Sequence, residues 1–381
     1  MTLMPDTPNT ALEQLLGSTI DQLDISAADY QAAHDRYTDV GEHLRDEGGH
    51  IYVQGSILLG TVVAPHHRRG EYDLDLVCRF DIARESTTQA ELKERVGSLL
   101  QDYIDEGNAV DGELPELSQG RRSWKLGYQR FHMDVLPAIP NDRSPSPTGI
   151  CLTDQQLRHW QESDPMAYAT WFRGRCQAQF DLERKELAKA AGSLAPVPDW
   201  QVRTPLHRTV QILKRHRDLH FDTDLDDRPP SSLITTLAGL AYAGQSGLVV
   251  ATLEAVQRMG QNIENRDGTY WVENPVCPGE NFADKWNDYP LRRVKFLHWL
   301  AAVEEDLEGL LHERNGAPAV HQRLGRAFGT DVVTKALQQI GTETRNLGDG
   351  GRLRVTSAGV LSTSVGVASQ PKKFFGGPTA G

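Results

Sequence analysis

Cysteine is scarce in this sequence, with four residues among 381: Cys78, Cys151, Cys176 and Cys277. They are widely separated and form no Cys-x-x-Cys pair, so neither a disulfide framework nor a thiolate zinc site is indicated. Unpaired thiols are typical of a reducing compartment. The sequence therefore predicts a cytoplasmic protein.

Long apolar runs are also missing. No stretch reaches the roughly 18 consecutive apolar residues that a membrane-spanning helix needs. The first ten residues, MTLMPDTPNT, contain an acid and no basic residue ahead of an apolar block, which is unlike a secretory leader. We therefore expect a protein that is neither secreted nor inserted in a membrane.

Positive charge is in deficit. The chain has 40 Lys and Arg residues against 52 Asp and Glu residues, which gives a formal net charge of −12. A protein that coats long nucleic acid needs a broad basic face, so we do not expect that function. Small phosphorylated ligands are not excluded, because they require only a local positive pocket.

The chain does have the length and the apolar content of a two-lobed protein. Its 381 residues, of which 39% are hydrophobic, suffice for one large bilobal core or two domains of ordinary size. The stiff segment 195–198, Ala-Pro-Val-Pro, indicates a boundary. We predict a first lobe over residues 1–198, a helical lobe over 199–355 and a flexible tail over 356–381, where small and polar residues dominate.

Helical spacing is found on both sides of that boundary. Residues 153–191 have a helical pattern, and their aromatic residues, Tyr168 among them, are expected in its core. Residues 204–219 form an amphipathic pattern whose basic side, including Lys214, faces either solvent or a ligand. Ser232 is expected to begin the next helix, whose N-terminal N–H groups suit an anion.

Two acidic residues, separated by one leucine, lie in the apolar run Tyr72-Asp-Leu-Asp-Leu-Val77. If the run is a β-strand, Asp73 and Asp75 project from the same face. Adjacent carboxylates repel each other unless a cation lies between them, and Mg²⁺ is commonly held by one or two carboxylates together with substrate phosphates. Such triplets also arise by chance in an acidic chain, so the pair alone does not establish a metal site.

A Gly-Ser pair precedes this strand. Gly55 has no side chain to obstruct a phosphate, and Ser56 offers a hydroxyl and a backbone N–H to anionic oxygen. Gly55 to Thr61 also spells G-x-x-x-x-G-T, but a P-loop needs Lys after the second Gly and a helix beyond it. Here Val-Val-Ala-Pro follows, so the pattern favours a phosphate-binding turn of another kind.

A third acid lies in a second apolar stretch, YQRFHMDVLPAIP, at residues 128–140. Asp134 there is flanked by Met133 and Val135, and burying a lone carboxylate is costly unless metal or hydrogen bonds compensate it. Three acids on neighbouring strands can hold two metal ions, which activate a hydroxyl nucleophile and stabilise departing pyrophosphate.

These residues carry a family resemblance. The order of Gly55-Ser56, Asp73-x-Asp75 and then His132-x-Asp-Val-Leu-Pro137 resembles the DNA-polymerase-β-type nucleotidyltransferases. More closely, the chain is similar to the bacterial cGAS/DncV-like nucleotidyltransferases, or CD-NTases, and within them to clade D. The similarity continues through residues 204–217, 230–236 and 274–286, so it covers nearly the whole chain.

The resemblance implies an α/β (α+β) fold, with a polymerase-β-like nucleotidyltransferase core, a mixed sheet and a C-terminal helical lobe. It implies a cyclic oligonucleotide synthase that makes a second messenger for antiphage defence and releases pyrophosphate. ATP is the favoured substrate, and cyclic tri-AMP is one expected product. The implied site residues are the metal-binding catalytic acids Asp73, Asp75 and Asp134, with two Mg²⁺ or Mn²⁺ ions, and the nucleotide-binding residues Gln54, Gly55, Ser56, Lys214 and Ser232.

Two other functions stay open. One is a single nucleotidyl transfer to a protein or small molecule. The other is a nucleotide-binding scaffold without catalysis, although a pure binder does not need three costly acids.

The C-terminal residues suggest a covalent modification. Ala380-Gly381 ends in an unhindered carboxylate, and the tail resembles those of CD-NTases encoded beside an E1/E2-like conjugating enzyme. We therefore expect such a partner to join Gly381 to an amine.

Overall fold

The computed structural model describes residues 8–66, 72–109, 112–129, 131–153, 160–191, 199–314, 316–355, 361–362 and 366–368. Within these ranges a mixed β-sheet with flanking helices is followed by a mainly helical lobe. The fold is α+β, as predicted.

The α-helices are labelled in chain order. They are α1 Pro8–Asp21, α2 Ala27–Asp46, α3 Gly55–Leu58, α4 Gln89–Asp105, α5 Pro165–Arg175, α6 Gln177–Ala191, α7 Pro205–His220, α8 Ser231–Ala241, α9 Leu248–Met259, α10 Asp284–Asp288, α11 Pro290–Leu311, α12 Ala317–Phe328 and α13 Thr330–Asp349.

The strands are labelled in the same way. They are β1 Gly49–Gln54, β2 Tyr72–Phe80, β3 Glu116–Gln119, β4 Trp124–Gly127, β5 Phe131–Pro140, β6 Ile150–Leu152, β7 Gln161–Ser163, β8 Glu264–Arg266, β9 Thr269–Trp271, β10 Glu273–Asn274, β11 Cys277–Asn281, β12 Arg354–Val355, β13 Leu361–Ser362 and β14 Val367–Ala368. The large sheet has the order β1-β2-β5-β4-β3, with β6 paired to β5 and β7 to β6.

The two central strands, β2 and β5, carry the three predicted acids. They run parallel, with Asp75 opposite Asp134 and Asp73 opposite His132. The alternate residues Leu74 and Met133 are buried in the sheet's core, as are their neighbours two positions on. Because side chains alternate between faces, this burial sends the acids to the opposite face together.

Helix α7 lies in the centre of the second lobe. From Pro205 to Arg217 every side chain except that of Arg208 is buried. Of the two surroundings predicted for its basic side, solvent or a ligand, solvent is wrong for Lys214, Arg215 and Arg217, which are all buried. Buried cations require polar partners, and backbone carbonyls are among these partners, as described below.

The first helix, α1, packs against the second lobe. Leu16 and Ile20 join a buried cluster with Ile212 of α7 and with side chains of α9, α12 and α13. The Glu13 carboxylate accepts hydrogen bonds from the N–H groups of Leu248 and Val249, each at 2.9 Å. These N–H groups lack partners within α9, so Glu13 caps that helix from a distant part of the chain.

The structure corrects the single helical pattern predicted over residues 153–191. Gln161–Ser163 is a strand that pairs with β6, and α5 begins only after Asp164, which caps it through the N–H of Ala167 at 2.9 Å. The residue before a proline is biased away from helical backbone, and Pro165 therefore fixes this start.

The predicted boundary at 195–198 lies outside the described residues, and so does most of the predicted tail 356–381. The described tail segments β13 and β14 both pair antiparallel with β12. Among the helices within the described ranges, none combines the length and the apolar character needed to cross a bilayer.

We predict that Glu13→Ala lowers the free energy of unfolding by about 1–2 kcal/mol, the usual cost of losing a helix cap. Denaturant titration of the full chain measures it. Glu42→Ala, at an exposed position of α2, is the control and should change stability by less than about 0.5 kcal/mol. Equal effects of the two substitutions would contradict the capping role.

Candidate active site

A cleft of about 730 Å³ is lined by residues of the sheet and of the helical lobe. It brings together most of the predicted site residues: Gln54, Gly55, Ser56, Asp73, Asp75, Lys214 and Ser232. Asp134 is not among the lining residues, although it lies opposite Asp75 in the sheet.

The Gly-Ser turn is shaped around Asp75. Gln54 ends β1 opposite Asp75, and Gly55 has φ +64°, in the left-handed region that glycine tolerates best. A Cβ atom at position 55 would overlap the Asp75 carboxylate. Glycine is therefore needed here to admit a carboxylate, in addition to the predicted room for a phosphate.

The other two acids already have partners. The imidazole Nε2 of His132 pairs with Asp73 and lies 3.8 Å from the Asp134 carboxylate. The Ser123 hydroxyl donates to Asp134 Oδ1 at 2.9 Å. His132 therefore stands between the two acids on the open face of the sheet.

These surroundings drive the pKa values of the paired acids apart. Burial, followed by the charges of Asp73 and Asp134, raises the pKa of Asp75 to about 7. Burial also acts to raise the pKa of Asp73, but the hydrogen bond and charge of His132, with Lys125 and Lys214, outweigh it and lower that pKa. Asp75 is thus the carboxylate whose charge is least compensated by the protein.

The donor set suits a hard divalent cation. Within the described residues, no three His, Cys, Asp or Glu side chains are already gathered as a metal cage. A closed cage is not what Mg²⁺ requires, because it commonly takes one or two carboxylates and completes its shell with substrate phosphates and water. A cation beside Asp75 would offset the repulsion that raises its pKa.

Lys214 lines the cleft, but its ammonium group is hydrogen-bonded to Thr61. Its Nζ donates to the Thr61 carbonyl at 3.1 Å, with the Thr61 hydroxyl at 3.4 Å. Burial, followed by the charge of Arg217, lowers the pKa of Lys214 to about 7, against the opposing charges of nearby acids. Its predicted contact to a triphosphate remains a prediction.

Lys214 belongs to a row of donors that the sequence did not reveal. Gln211 Nε2 donates to the Val62 carbonyl, and Arg215 Nη2 donates to the Ala64 carbonyl, each at 2.7 Å. Residues three and four apart share a helix face, so one face of α7 binds three carbonyls of the segment 61–64. That segment follows the short helix α3, which begins with the Gly-Ser pair, so α7 holds the chain just beyond α3.

The start of α8 differs slightly from the prediction. The helix begins at Ser231, and Pro230 occupies the N-cap position, so Ser232 is its second residue. Ser232 is exposed to the cleft. Arg217 Nη1 donates to the Pro229 carbonyl at 3.1 Å and to the Ser231 hydroxyl at 2.9 Å. This buried arginine holds the helix start, whose free N–H groups favour anions.

Several residues of the cleft had no predicted role. Tyr168 is a wall residue rather than part of the core, and its hydroxyl hydrogen-bonds to Thr236 at 2.7 Å. Phe282 stands at right angles to it, with 6.2 Å between ring centroids. Asn274 and Glu280 lie beside them on the cleft. The family-like motif 274–286 marked this segment, but nothing in its spacing indicated a role.

Known proteins resemble this chain in sequence. Residues 49–137 match the family described as the nucleotidyltransferase domain of cyclic GMP-AMP synthase DncV-like proteins. The chain is 26% identical to a c-di-GMP synthase of Roseivirga ehrenbergii, over 98% of this chain and all of that protein. It is 23% identical to the cyclic dinucleotide synthase CdnG of Bradyrhizobium diazoefficiens, over 88% of this chain and 84% of that protein.

The fold has solved counterparts. The structure of the Bradyrhizobium diazoefficiens CD-NTase CdnG in complex with GTP has a TM-score of 0.70 at 20% identity, covering 87% of this chain and 99% of that chain. Vibrio cholerae DncV in its GTP-bound form has a TM-score of 0.54 at 14% identity, covering 84% and 80%. Residues 49–137 are a DncV-like nucleotidyltransferase domain, and the chain is a nucleotidyltransferase. The finer similarity to clade D is not supported by these relatives and stays a prediction.

We predict that Asp73→Asn combined with Asp75→Asn abolishes nucleotidyl transfer while the protein still folds, because the amides keep the shape of the side chains and remove only their charge. Release of pyrophosphate from nucleoside triphosphates measures activity, and circular dichroism measures folding. Asp46→Asn with Asp102→Asn, at exposed positions, should leave activity unchanged. Turnover by a folded Asp73/Asp75 variant would contradict the assignment.

We also predict a pH-dependent gain in stability for Asp75→Asn in metal-free buffer. The Asp75 pKa rises from 3.8 to about 7 on folding, so between these pH values the unfolded chain has lost a proton that the folded chain retains. Rising pH therefore favours unfolding through this group, and the penalty is complete above about pH 7. The melting temperature of the variant relative to wild type should be higher at pH 8 than at pH 5, measured in chelator. The same difference at both pH values would contradict the assigned environment.

Proposed function

We propose that this nucleotidyltransferase joins two nucleoside triphosphates, GTP among them, into a cyclic dinucleotide. The observation that carries the proposal is the single cleft, which presents Asp73, Asp75, the Gly-Ser turn and Lys214 to one ligand. Two relatives matched along most of their length are named for cyclic dinucleotide products.

The reaction consists of two transfers of the same kind. In each, a ribose hydroxyl of one nucleotide attacks the α-phosphorus of the other, a P–O bond forms, and the bond to the β-phosphate oxygen breaks with loss of pyrophosphate. The hydroxyl proton leaves to solvent or a nearby base. The second transfer closes the ring, so two triphosphates yield one cyclic product and two pyrophosphates.

The residues of the cleft would divide this work. Asp73 and Asp75 would hold divalent cations together with the triphosphate, and Asp134 would complete the set from the neighbouring strand. Bound Mg²⁺ or Mn²⁺ neutralises phosphate charge and lowers the pKa of the attacking hydroxyl. Gln54, Gly55 and Ser56 would position the outer phosphates. Catalysis would then consist mainly of positioning and charge neutralisation.

Lys214 and Ser232 would bind the same triphosphate from the helical lobe. Lys214 would exchange its Thr61 contacts for phosphate oxygen, which favours its protonated form. The N–H groups at the start of α8 would receive a further anionic oxygen. Both residues line the cleft. Lys214 lies on α7, and Arg217 holds the start of α8, where Ser232 lies.

The choice of base and ring size follows the relatives rather than the clade D similarity. One relative is named for c-di-GMP, and a similar structure is described in complex with GTP. ATP as the preferred substrate and cyclic tri-AMP as the product are the alternative outcome of the same product analysis. Single transfer to another molecule and nucleotide binding without catalysis are the further alternatives.

The biological role extends the proposal. A cyclic dinucleotide released by this enzyme would act as a second messenger in antiphage defence. The expected E1/E2-like partner would act on Gly381, which lies outside the described residues. Deleting Gly381 should then remove higher-mass adducts when the chain is expressed with its neighbouring genes.

We predict that incubation with GTP and Mg²⁺ or Mn²⁺ gives a product that resists phosphatase, because a ring has no terminal phosphate. Mass spectrometry identifies the product, with ATP, CTP and UTP tested alone and in pairs. Chelator should abolish formation, and Zn²⁺ should not restore it, since the donor set is hard.

A phosphatase-sensitive linear product or a nucleotidylated protein would support single transfer instead. Nucleotide binding without any new product would favour the scaffold, and a cyclic product of three adenylates would restore the ATP assignment.

A further inference from the structure

One part of the cleft wall combines aromatic side chains with a carboxylate. Tyr168 and Phe282 supply aromatic surface there, on which a base can stack. Glu280 supplies a carboxylate and Asn274 an amide on the wall of the same cleft. The strongest charges acting on Asp75 are Asp73, Asp134 and Lys214, whereas those acting on Glu280 are Arg122 and Asp284. Glu280 is therefore not among the strongest charges that act on Asp75.

Glu280 is held in place by a buried amide. The Asn274 Oδ1 atom accepts the N–H of Val276 at 3.1 Å, and its Nδ2 donates to Glu280 Oε2 at 2.7 Å. The first contact fixes the orientation of the amide, because only the oxygen can accept. Asn274 thus acts as a positioning residue that aims Glu280 from the hairpin of β10 and β11.

Glu280 also has hydrogen-bonding capacity left over, and it differs from the neighbouring acids of the cleft wall in its partners. Asp218 is paired with Arg217 and Arg228. Asp164 is buried and accepts from Thr148 and from the N–H of Ala167. For Glu280, the described residues contribute the Asn274 contact to Oε2, and Oε1 has no partner among them. Burial raises the pKa of this carboxyl, against the hydrogen bond from Asn274 and the charge of Arg122.

We propose that Glu280 reads the Watson–Crick edge of guanine and so selects GTP over ATP; the inference rests on the proposed function. Guanine presents two donors on that edge, N1–H and the N2 amino group, and a carboxylate only accepts hydrogen bonds. Adenine presents the N1 acceptor in the same place. An adenine there would face a carboxylate with lone pair against lone pair, which leaves buried polar atoms unpaired and costs binding energy.

The test measures binding of non-hydrolysable GTP and ATP analogues to the full chain with Mg²⁺, so that it does not depend on product formation. Wild type should bind the GTP analogue more tightly. Glu280→Gln should reduce the ratio of GTP to ATP affinity by about tenfold or more, the discrimination expected of a bidentate base contact. Glu264→Gln makes the same chemical change on exposed strand β8 and should leave the ratio unchanged.

A second measurement uses the wild-type chain and therefore does not depend on a variant's folding. An inosine triphosphate analogue retains N1–H but lacks the N2 amino group, so its affinity should fall between those of the GTP and ATP analogues. An unchanged GTP to ATP ratio in folded Glu280→Gln, or equal binding of all three analogues by wild type, would overturn the inference while leaving cyclic dinucleotide synthesis standing. Failure to bind either GTP or ATP analogues would overturn the proposed function and this inference with it.

Discussion

The repulsion among carboxylates on two parallel strands is the constraint around which the site is arranged. Asp75 lies opposite Asp134 and two residues from Asp73, and this crowding together with burial raises its pKa to about 7. His132 pairs with Asp73 and Ser123 donates to Asp134, whereas for Asp75 the charges of Lys214 and His132 act to lower the pKa but do not offset its rise. Like charges held together at a cost are characteristic of functional sites. A ligand that brings positive charge and phosphate oxygen is the natural complement of this arrangement.

The helical lobe contributes rigidity to that site. Helix α7 is buried on nearly all sides, and backbone carbonyls accept hydrogen bonds from its buried cations Lys214, Arg215 and Arg217, the last of which also pairs with Asp218. Gln211, Lys214 and Arg215 bind the carbonyls of the segment 61–64, and Arg217 binds the start of α8. Both walls of the cleft are therefore fixed to one helix, which is the kind of support that precise positioning of two nucleotides requires.

Much of this arrangement could be predicted from sequence because it depends on local patterns. The period-2 alternation around Asp73 and Asp75, and around Asp134, placed the acids on strands with a common face, and the parallel register of β2 and β5 agrees. Apolar residues at helical spacing predicted the helices of the second lobe. The hairpin of β8 and β9 went unpredicted, although Asp267 and Gly268, both with positive φ, form the Asp-Gly signal of a tight turn.

Other features depend on contacts between distant residues and leave no local pattern. Glu13 caps a helix more than two hundred residues away, and Lys214 looks in sequence like any base on an amphipathic helix although it is buried. Tyr168 was predicted to lie in the core, because an aromatic residue in a helix does not reveal whether its edge meets a cavity. Glu280 lies within a family-like motif, but a role for it could be inferred only from the structure, in which it is hydrogen-bonded to Asn274 and lines the same cleft as Tyr168 and Phe282.

The central claim is that Asp73 and Asp75 share a divalent cation with a bound triphosphate. Electron paramagnetic resonance of Mn²⁺, titrated into the metal-free chain with and without a non-hydrolysable GTP analogue, tests it without relying on turnover. The account predicts weak Mn²⁺ binding alone, tighter binding with the analogue, and loss of that gain in the Asp73→Asn, Asp75→Asn variant. Equally tight Mn²⁺ binding by the variant in the presence of the analogue would contradict it.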